Sequence, residues 1–220
     1  MVEKDSVAEF EMGGVSMFVS AFTALGYLSG SVLYARVFAG LFGKEEKFDE
    51  SADHNPGTFN AFKYAGFWCG VLTLIFDVLK GFLPVFLYVS HFSSRQQSSL
   101  GLALVIAAPV IGHIFPLFFK FKGGKGIATT FGCLLGLLPI WIPLATLAVF
   151  FIFFSVILQI SPHYHRTIAS YIGALIAMIW RVDLAAVWIG FILITAAVLV
   201  RMLTSPKEEE KMRVRFLWMR

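Results

Sequence analysis

The sequence predicts an all-α integral membrane protein of about seven transmembrane helices, with its N-terminus outside and its C-terminus in the cytoplasm. Three observations carry that prediction. The chain is 58% hydrophobic and 15% charged, with a mean hydropathy of +0.77, whereas soluble domains are about half apolar and about a quarter charged. Apolar runs close to the roughly 17–25 residues that cross a bilayer recur along the chain. Basic residues collect in alternate connections between those runs, following the preference of lysine and arginine for the cytoplasmic side.

The segment 1–12 (MVEKDSVAEFEM) is polar and acidic, unlike the basic start and small-residue cleavage site of a removable signal peptide. Gly14 to Leu41 reads as the first span, Tyr64 to Val89 as the second and Leu100 to Phe119 as the third. Gly126 to Leu138 is a short fourth, after which Pro139 starts the fifth, Ile140 to Ile160. Thr167 to Trp180 is a short sixth and Leu184 to Met202 the last. The short runs are expected to be thinned or partly re-entrant, which lipid permits only where freed backbone faces protein or water. Together these runs form one membrane domain over 13–203, followed by a tail over 204–220. Cys69 and Cys133 lie within apolar runs without metal-type spacing and read as packing residues.

Orientation follows from charge. Lys44, Lys47 and Lys63 fall on one side, with Lys120, Lys122, Lys125, Arg166 and the tail from Arg201; Lys4, Arg95 and Arg181 fall on the other. The richer side is cytoplasmic. The tail mixes Lys211, Arg213, Arg215 and Arg220 with Phe216, Leu217 and Trp218, a composition expected to lie on an anionic inner leaflet.

The cytoplasmic connections hold the chemistry-bearing residues. Lys122-Gly123-Gly124-Lys125-Gly126 directly precedes an apolar helical run. Glycine permits close backbone approach, a helix N-terminus adds unsatisfied N–H donors, and the lysines add charge, so the stretch suits a phosphate at headgroup level. Its spacing is not that of a nucleotide P-loop. Spacing alone equally suits a topology signal with a flexible turn. His113, within Gly112 to Pro116, is either a general base or a hydrogen-bonded structural residue. Asn55 and Asn60 bracket a turn before Lys63; their amides suit a hydroxylated or phosphorylated small molecule, and Asn60 equally suits a helix N-cap. Asp77 and Lys80, one turn apart, read as an ion pair. Thr167 and Ser170 place two hydroxyls beneath Arg166.

These elements, in this order, resemble the bacterial acyl-phosphate:glycerol-3-phosphate acyltransferases. Gly112-His113-x-x-Pro116 followed by Phe121-Lys122-Gly123-Gly124-Lys125-Gly126 is similar to that family's G-H-x-x-P…F-K-G-G-K-G signature, unchanged. Gly30-Ser31 resembles its first-helix Gly-Ser, and Asp77-x-x-Lys80-Gly81 its D-x-x-K-G. Ile168-Ala169-Ser170 fits the end of its S-L-A-S, with Thr167 for the first serine. The resemblance implies a seven-helix multi-pass enzyme of the bacterial inner membrane with its active site facing the cytoplasm. It implies acyl phosphate and glycerol-3-phosphate as substrates, lysophosphatidic acid and phosphate as products, and no cofactor, metal or nucleic-acid partner. It further implies Lys125, Ser170 and His113 as catalytic, and Ser31, Asn55, Gly57, Asn60, Lys63, Lys122, Gly123, Gly124, Gly126 and Thr167 as substrate-binding.

The acceptor-side motif G-S-G-N-x-G-A-T-N-x-x-R is altered. It appears as Ala52-Asp53-His54-Asn55-Pro56-Gly57-Thr58-Phe59-Asn60-Ala61-Phe62-Lys63. Ala52 and His54 replace glycine, Asp53 adds a negative charge, and Lys63 replaces an arginine, keeping charge without the bidentate fork. The family's C-terminal R-H-x-x-N-x-x-R is absent, since Arg201 is followed by MLTSPKEEE. The alternatives are therefore a divergent enzyme with another acceptor, or a lipid-phosphate binder without turnover. A transporter would show midplane charges and repeat symmetry, whereas the charges here gather at the cytoplasmic rim.

Overall fold

The computed structural model describes residues 2–50, 55–92, 98–204 and 212–218. Helix α1 (Val2–Gly30) leads into α2 (Tyr34–Leu41), with a 40° bend between Ser16–Gly30 and Tyr34–Leu41. The expected first span is thus broken at Ser31–Leu33, where the Val32 carbonyl leaves the helix to accept from Lys80 Nζ at 2.7 Å. Two short helices follow, α3 (Glu45–Asp49) and α4 (Thr58–Asn60), then a π turn over Ala61–Ala65. Helix α5 (Phe67–His91) leads to α6 (Ser99–Ile114), whose start is capped by Ser98 Oγ accepting from Gly101 N at 2.9 Å. After a single 3-10 turn (Leu117–Phe119) come α7 (Ile127–Leu135) and α8 (Ile142–Ile152). A π turn (Phe153–Ile157), strand β1 (Leu158–Ser161), helices α9 (His163–Arg181) and α10 (Ala185–Thr204) and strand β2 (Arg213–Phe216) complete the described chain.

Among the described residues, three stretches, Phe67–His91, Ser99–Phe119 and Ala185–Thr204, are long and apolar enough to cross a membrane, and the bent α1–α2 pair would make a fourth. Two expectations are corrected. The described chain is mostly helical, with one short antiparallel pair of β1 and β2 that sets Leu158 opposite Phe216 and Ser161 opposite Arg213. The run expected as one span to Ile160 therefore ends its α-helix at Ile152; its β-branched and aromatic residues also suit a strand. The described part of the tail is likewise a strand, while Lys211 and Arg220 lie outside the described residues. The run Thr167 to Trp180, expected to be short, belongs to a 19-residue helix. His163, His165 and Arg166 in its first turn had hidden that start in the hydropathy.

Helix α6 lies between α1 and α10, α5 packs on α7, and α8 on α9. Backbones approach closely where side chains are missing. A Cβ at Gly30 would collide with the Pro109 carbonyl, and one at Gly132 with the Val78 carbonyl. Gly26 and Gly30, like Gly132 and Gly136, have the small-xxx-small spacing of helix pairs that associate in lipid without a hydrophobic driving force. The core between α6 and α10 is built from Val105, Ile106 and Val110 against Phe191, Ile194 and Val198. Leu74, Leu83, Val149, Ile176 and Val200 face outward, an apolar exterior that suits lipid and not water.

Candidate active site

The lysine-glycine loop is folded back onto the end of α6. Pro116 cannot continue that helix, and Lys120 and Phe121 then take left-handed φ values of 52° and 60°. This reversal carries the chain across the last carbonyls of α6, where Gly123 N–H donates to Ile114 O at 3.2 Å and Gly124 N–H to His113 O at 3.1 Å. The loop thus satisfies groups that a helix C-terminus leaves open. A Cβ at Gly123 would collide with the His113 carbonyl, and one at Gly124 with His113 Nε2. These two glycines therefore serve close approach to α6, and their N–H groups are already engaged there. Gly126, with a φ of +76°, opens helix α7, whose first-turn N–H groups have no partner within the helix. Gly126 O accepts from Thr130 N at 2.8 Å and Thr130 Oγ1 at 2.9 Å, and Tyr171 OH donates to that hydroxyl at 2.8 Å. Lys125 is partly buried beside this turn, and Lys122 is exposed.

Beneath the loop is a buried ionic node. Lys80 Nζ lies 2.7 Å from Asp77 Oδ1, 2.7 Å from His113 Nδ1 and 2.7 Å from Val32 O. Val32 O and His113 Nδ1 lie within hydrogen-bond reach of the Lys80 ammonium, and Asp77 Oδ1 pairs with it by charge. Asp77 and Lys80 thus form the expected ion pair, and the node also ties the break in the first span to α6. His113 presents Nδ1 to Lys80 and turns Nε2 towards Gly124. His113 thus lies under the loop, joined through Lys80 to Asp77 and to the break in the first span.

The predicted hydroxyls are also committed. Ser31 Oγ donates to Tyr27 O at 2.8 Å and accepts from Leu117 N at 3.2 Å. Tyr27 OH donates to Phe115 O at 2.9 Å, so the end of α1 and the start of the loop are pinned twice. Thr167 Oγ1 donates to His163 O at 2.9 Å and Ser170 Oγ to Arg166 O at 2.8 Å. Both side chains are buried. Their protons stay on their own helix, and lone pairs remain to accept.

On the acceptor side, Asn60 Nδ2 donates to Asn55 O at 2.9 Å and Gly57 N–H to the same carbonyl at 2.8 Å. Asn60 therefore closes the turn instead of capping a helix. Lys63 is exposed, with Nζ 5.0 Å from the Tyr64 ring centroid. This turn rests on a small cluster of Ala35, Ala39, Ala61, Ala65 and Cys69, apart from the main core that carries the lysine-glycine loop. The altered residues Ala52, Asp53 and His54 lie outside the described residues. Sequence reading did not identify Arg201 as part of the site, yet its Nη2 donates to Gly123 O at 2.6 Å. The available signals were a lone arginine on the otherwise apolar helix α10 and its place at the arginine that opens the family's C-terminal motif.

The family model for glycerol-3-phosphate acyltransferase matches residues 20–208. This chain belongs to that family. A glycerol-3-phosphate acyltransferase from Pasteurella multocida (strain Pm70) is 42% identical over 120 residues, 54% of this chain and 57% of that protein. Another, from Pseudoalteromonas translucida (strain TAC 125), is 41% identical over 133 residues, 60% of this chain and 59% of that one. The chain thus spans less than two thirds of the length of these relatives. Crystal structures of PlsY (YgiH), an integral membrane glycerol 3-phosphate acyltransferase, match in the glycerol 3-phosphate form at a TM-score of 0.70 and in the lysophosphatidic acid form at 0.68. Each is 29% identical and covers 83% of this chain and 87% of its own. As a member of the glycerol-3-phosphate acyltransferase family with three helices of spanning length, the chain is a membrane protein.

Proposed function

We propose that this protein transfers a fatty acyl group from acyl phosphate to glycerol-3-phosphate. The observation that carries the proposal is the lysine-glycine loop, unchanged in sequence and docked so that Lys125 and the N-terminus of α7 stand together. The donor phosphate would rest there, held by the Lys125 charge, the first-turn N–H groups of α7 and, from the rim, Lys122. Glycines 123, 124 and 126 shape the backbone for it, with His113 underneath. The glycerol-3-phosphate hydroxyl oxygen attacks the acyl carbon and forms the ester. The acyl–oxygen bond to phosphate breaks, and the departing phosphate takes the hydroxyl proton. Charge gathering on that phosphate is met by a fixed cation and fixed dipoles, the arrangement that lowers such barriers most. Ser170 and Thr167 offer acceptor lone pairs beside Tyr171, and Ser31 pins the loop entrance. Asn55, Gly57, Asn60 and Lys63 take the acceptor's phosphate and hydroxyls.

Counting the broken α1–α2 pair with α5 to α10 gives about seven crossings, some of them short. The charge distribution supports an outside N-terminus and a site on the cytoplasmic face of a bacterial inner membrane. A second reading, transfer to another acceptor, is favoured by the loss of the Gly-Ser-Gly opening and of the C-terminal His and Asn motif. Purified protein with palmitoyl phosphate and labelled glycerol-3-phosphate tests both. Lysophosphatidic acid formation abolished by Lys125→Ala, in protein that stays folded, is the expected result. Phosphate release without that product would select the second reading, and full activity of Lys125→Ala would end the phosphate-site assignment. Lys63→Arg, restoring the bidentate fork, should raise glycerol-3-phosphate use.

A further inference from the structure

The geometry points to Arg201 as a positioning residue that holds the Gly123–Gly124 peptide plane of the donor loop in one orientation. This inference rests on the proposed donor site, and its grounds are mechanical. In a trans peptide the C=O of one residue and the N–H of the next point in opposite directions from one plane. Here that plane is held at both ends: Gly124 N–H donates to His113 O at 3.1 Å, and Gly123 O accepts from Arg201 Nη2 at 2.6 Å. A bond between two glycines is the softest unit of a chain, because neither residue has a Cβ to restrict φ and ψ. Without the second hold, the plane can turn its carbonyl towards the anion site, placing a negative dipole where the donor phosphate must sit.

The sequence places Arg201 there by helix periodicity. Gly190, Ile194 and Val198 lie on the buried side of α10, and Gly190 comes within about one atom's contact of α6, a Cβ there meeting Ala103 O at 3.1 Å. Steps of three and four residues continue one helix face, and the next step reaches Arg201. Its guanidinium extends the stripe past the end of α6 and over the loop. The contact is charge-assisted, the stronger class of hydrogen bond. It brings a fixed cation to a loop whose own glycines have no side chain to hold them. Arg201 acts through the loop, so its effect belongs to donor binding and not to the acceptor.

Steady-state kinetics on the full-length protein, with palmitoyl phosphate and glycerol-3-phosphate varied in turn, tests this. Arg201→Gln should raise KM for palmitoyl phosphate on the order of tenfold to a hundredfold, the equivalent of one charge-assisted hydrogen bond. KM for glycerol-3-phosphate should stay within about twofold and the melting temperature should hold. Arg201→Lys keeps a charged donor and should recover most of the loss. An unchanged donor KM in Arg201→Gln, equal rises in both KM values, or Arg201→Lys as poor as Arg201→Gln would overturn the inference. If the wild type neither forms lysophosphatidic acid nor releases phosphate, it is the proposed function that fails. The clamp is then read from trypsin cleavage after Lys122 and Lys125 in the folded protein. Cleavage about tenfold faster in Arg201→Gln supports it, and equal rates overturn it.

Discussion

Lys80 gathers the buried charged groups beneath the lysine-glycine loop. Its ammonium answers a carboxylate, an imidazole and a backbone carbonyl at once, each at 2.7 Å. Removing one partner from a buried pair leaves an uncompensated charge, which costs roughly 3–5 kcal/mol, whereas replacing both by apolar groups is often near neutral. Lys80→Met should therefore lower the stability of the detergent-solubilised protein by about that amount. The double variant Asp77→Leu/Lys80→Met should recover much of the loss, as thermal unfolding would measure. The ion pair was legible in the sequence, because positions three apart share a helix face. The other two partners were not, since Val32 and His113 lie 48 and 33 residues away from Lys80. The same holds for the glycines of the loop: their presence suggested N–H groups turned to a phosphate, and only the fold reveals that Gly123 and Gly124 spend theirs on α6.

At the level of elements, close helix contact is set by missing side chains. Gly132 on α7 meets the Val78 carbonyl of α5, and Gly136 meets Phe82 O. A leucine at 132 must push the two backbones apart, so Gly132→Leu should unfold or misassemble the protein. A leucine at Gly43, where a Cβ would have nothing within 4 Å, keeps the helix packing and costs only the strain of its φ of +62°, about 1–2 kcal/mol. Size-exclusion profiles and melting temperatures of the two variants compare these costs. The spans Tyr64–Val89, Leu100–Phe119 and Leu184–Met202 were legible as apolar runs, and α5, α6 and α10 occupy them. The break after Gly30 was not, because Ser31–Leu33 is apolar enough to continue a helix and is opened by Lys80 from another element. Pairing of β1 with β2 joins segments separated by α9 and α10, and neither segment's sequence names its partner.

At the scale of the whole molecule, charge sets how the bundle sits in a bilayer. Under the proposed topology, Lys44 faces the cytoplasm and Arg181 the outside. Cysteine placed at residue 181 should react with a membrane-impermeant maleimide in intact cells, and cysteine at residue 44 only after permeabilisation. The native Cys69 and Cys133 are 1% and 0% exposed, so background labelling should be low. Reaction of both engineered positions from the same side would overturn the orientation.

The sequence by itself determined that this chain belongs in lipid, which of its loops gathers lysine and glycine, and where the stretch from Ala52 to Lys63 departs from its family. Those properties depend on composition and on residues adjacent in the chain, which are complete within a local window. The tertiary structure alone decided which N–H groups remain for a ligand and which hydroxyls are already committed. It also decided that Arg201 reaches a carbonyl 78 residues away. A hydrogen bond is fixed by distance and angle between groups, and helix packing brings those groups together without leaving a mark on either segment's sequence.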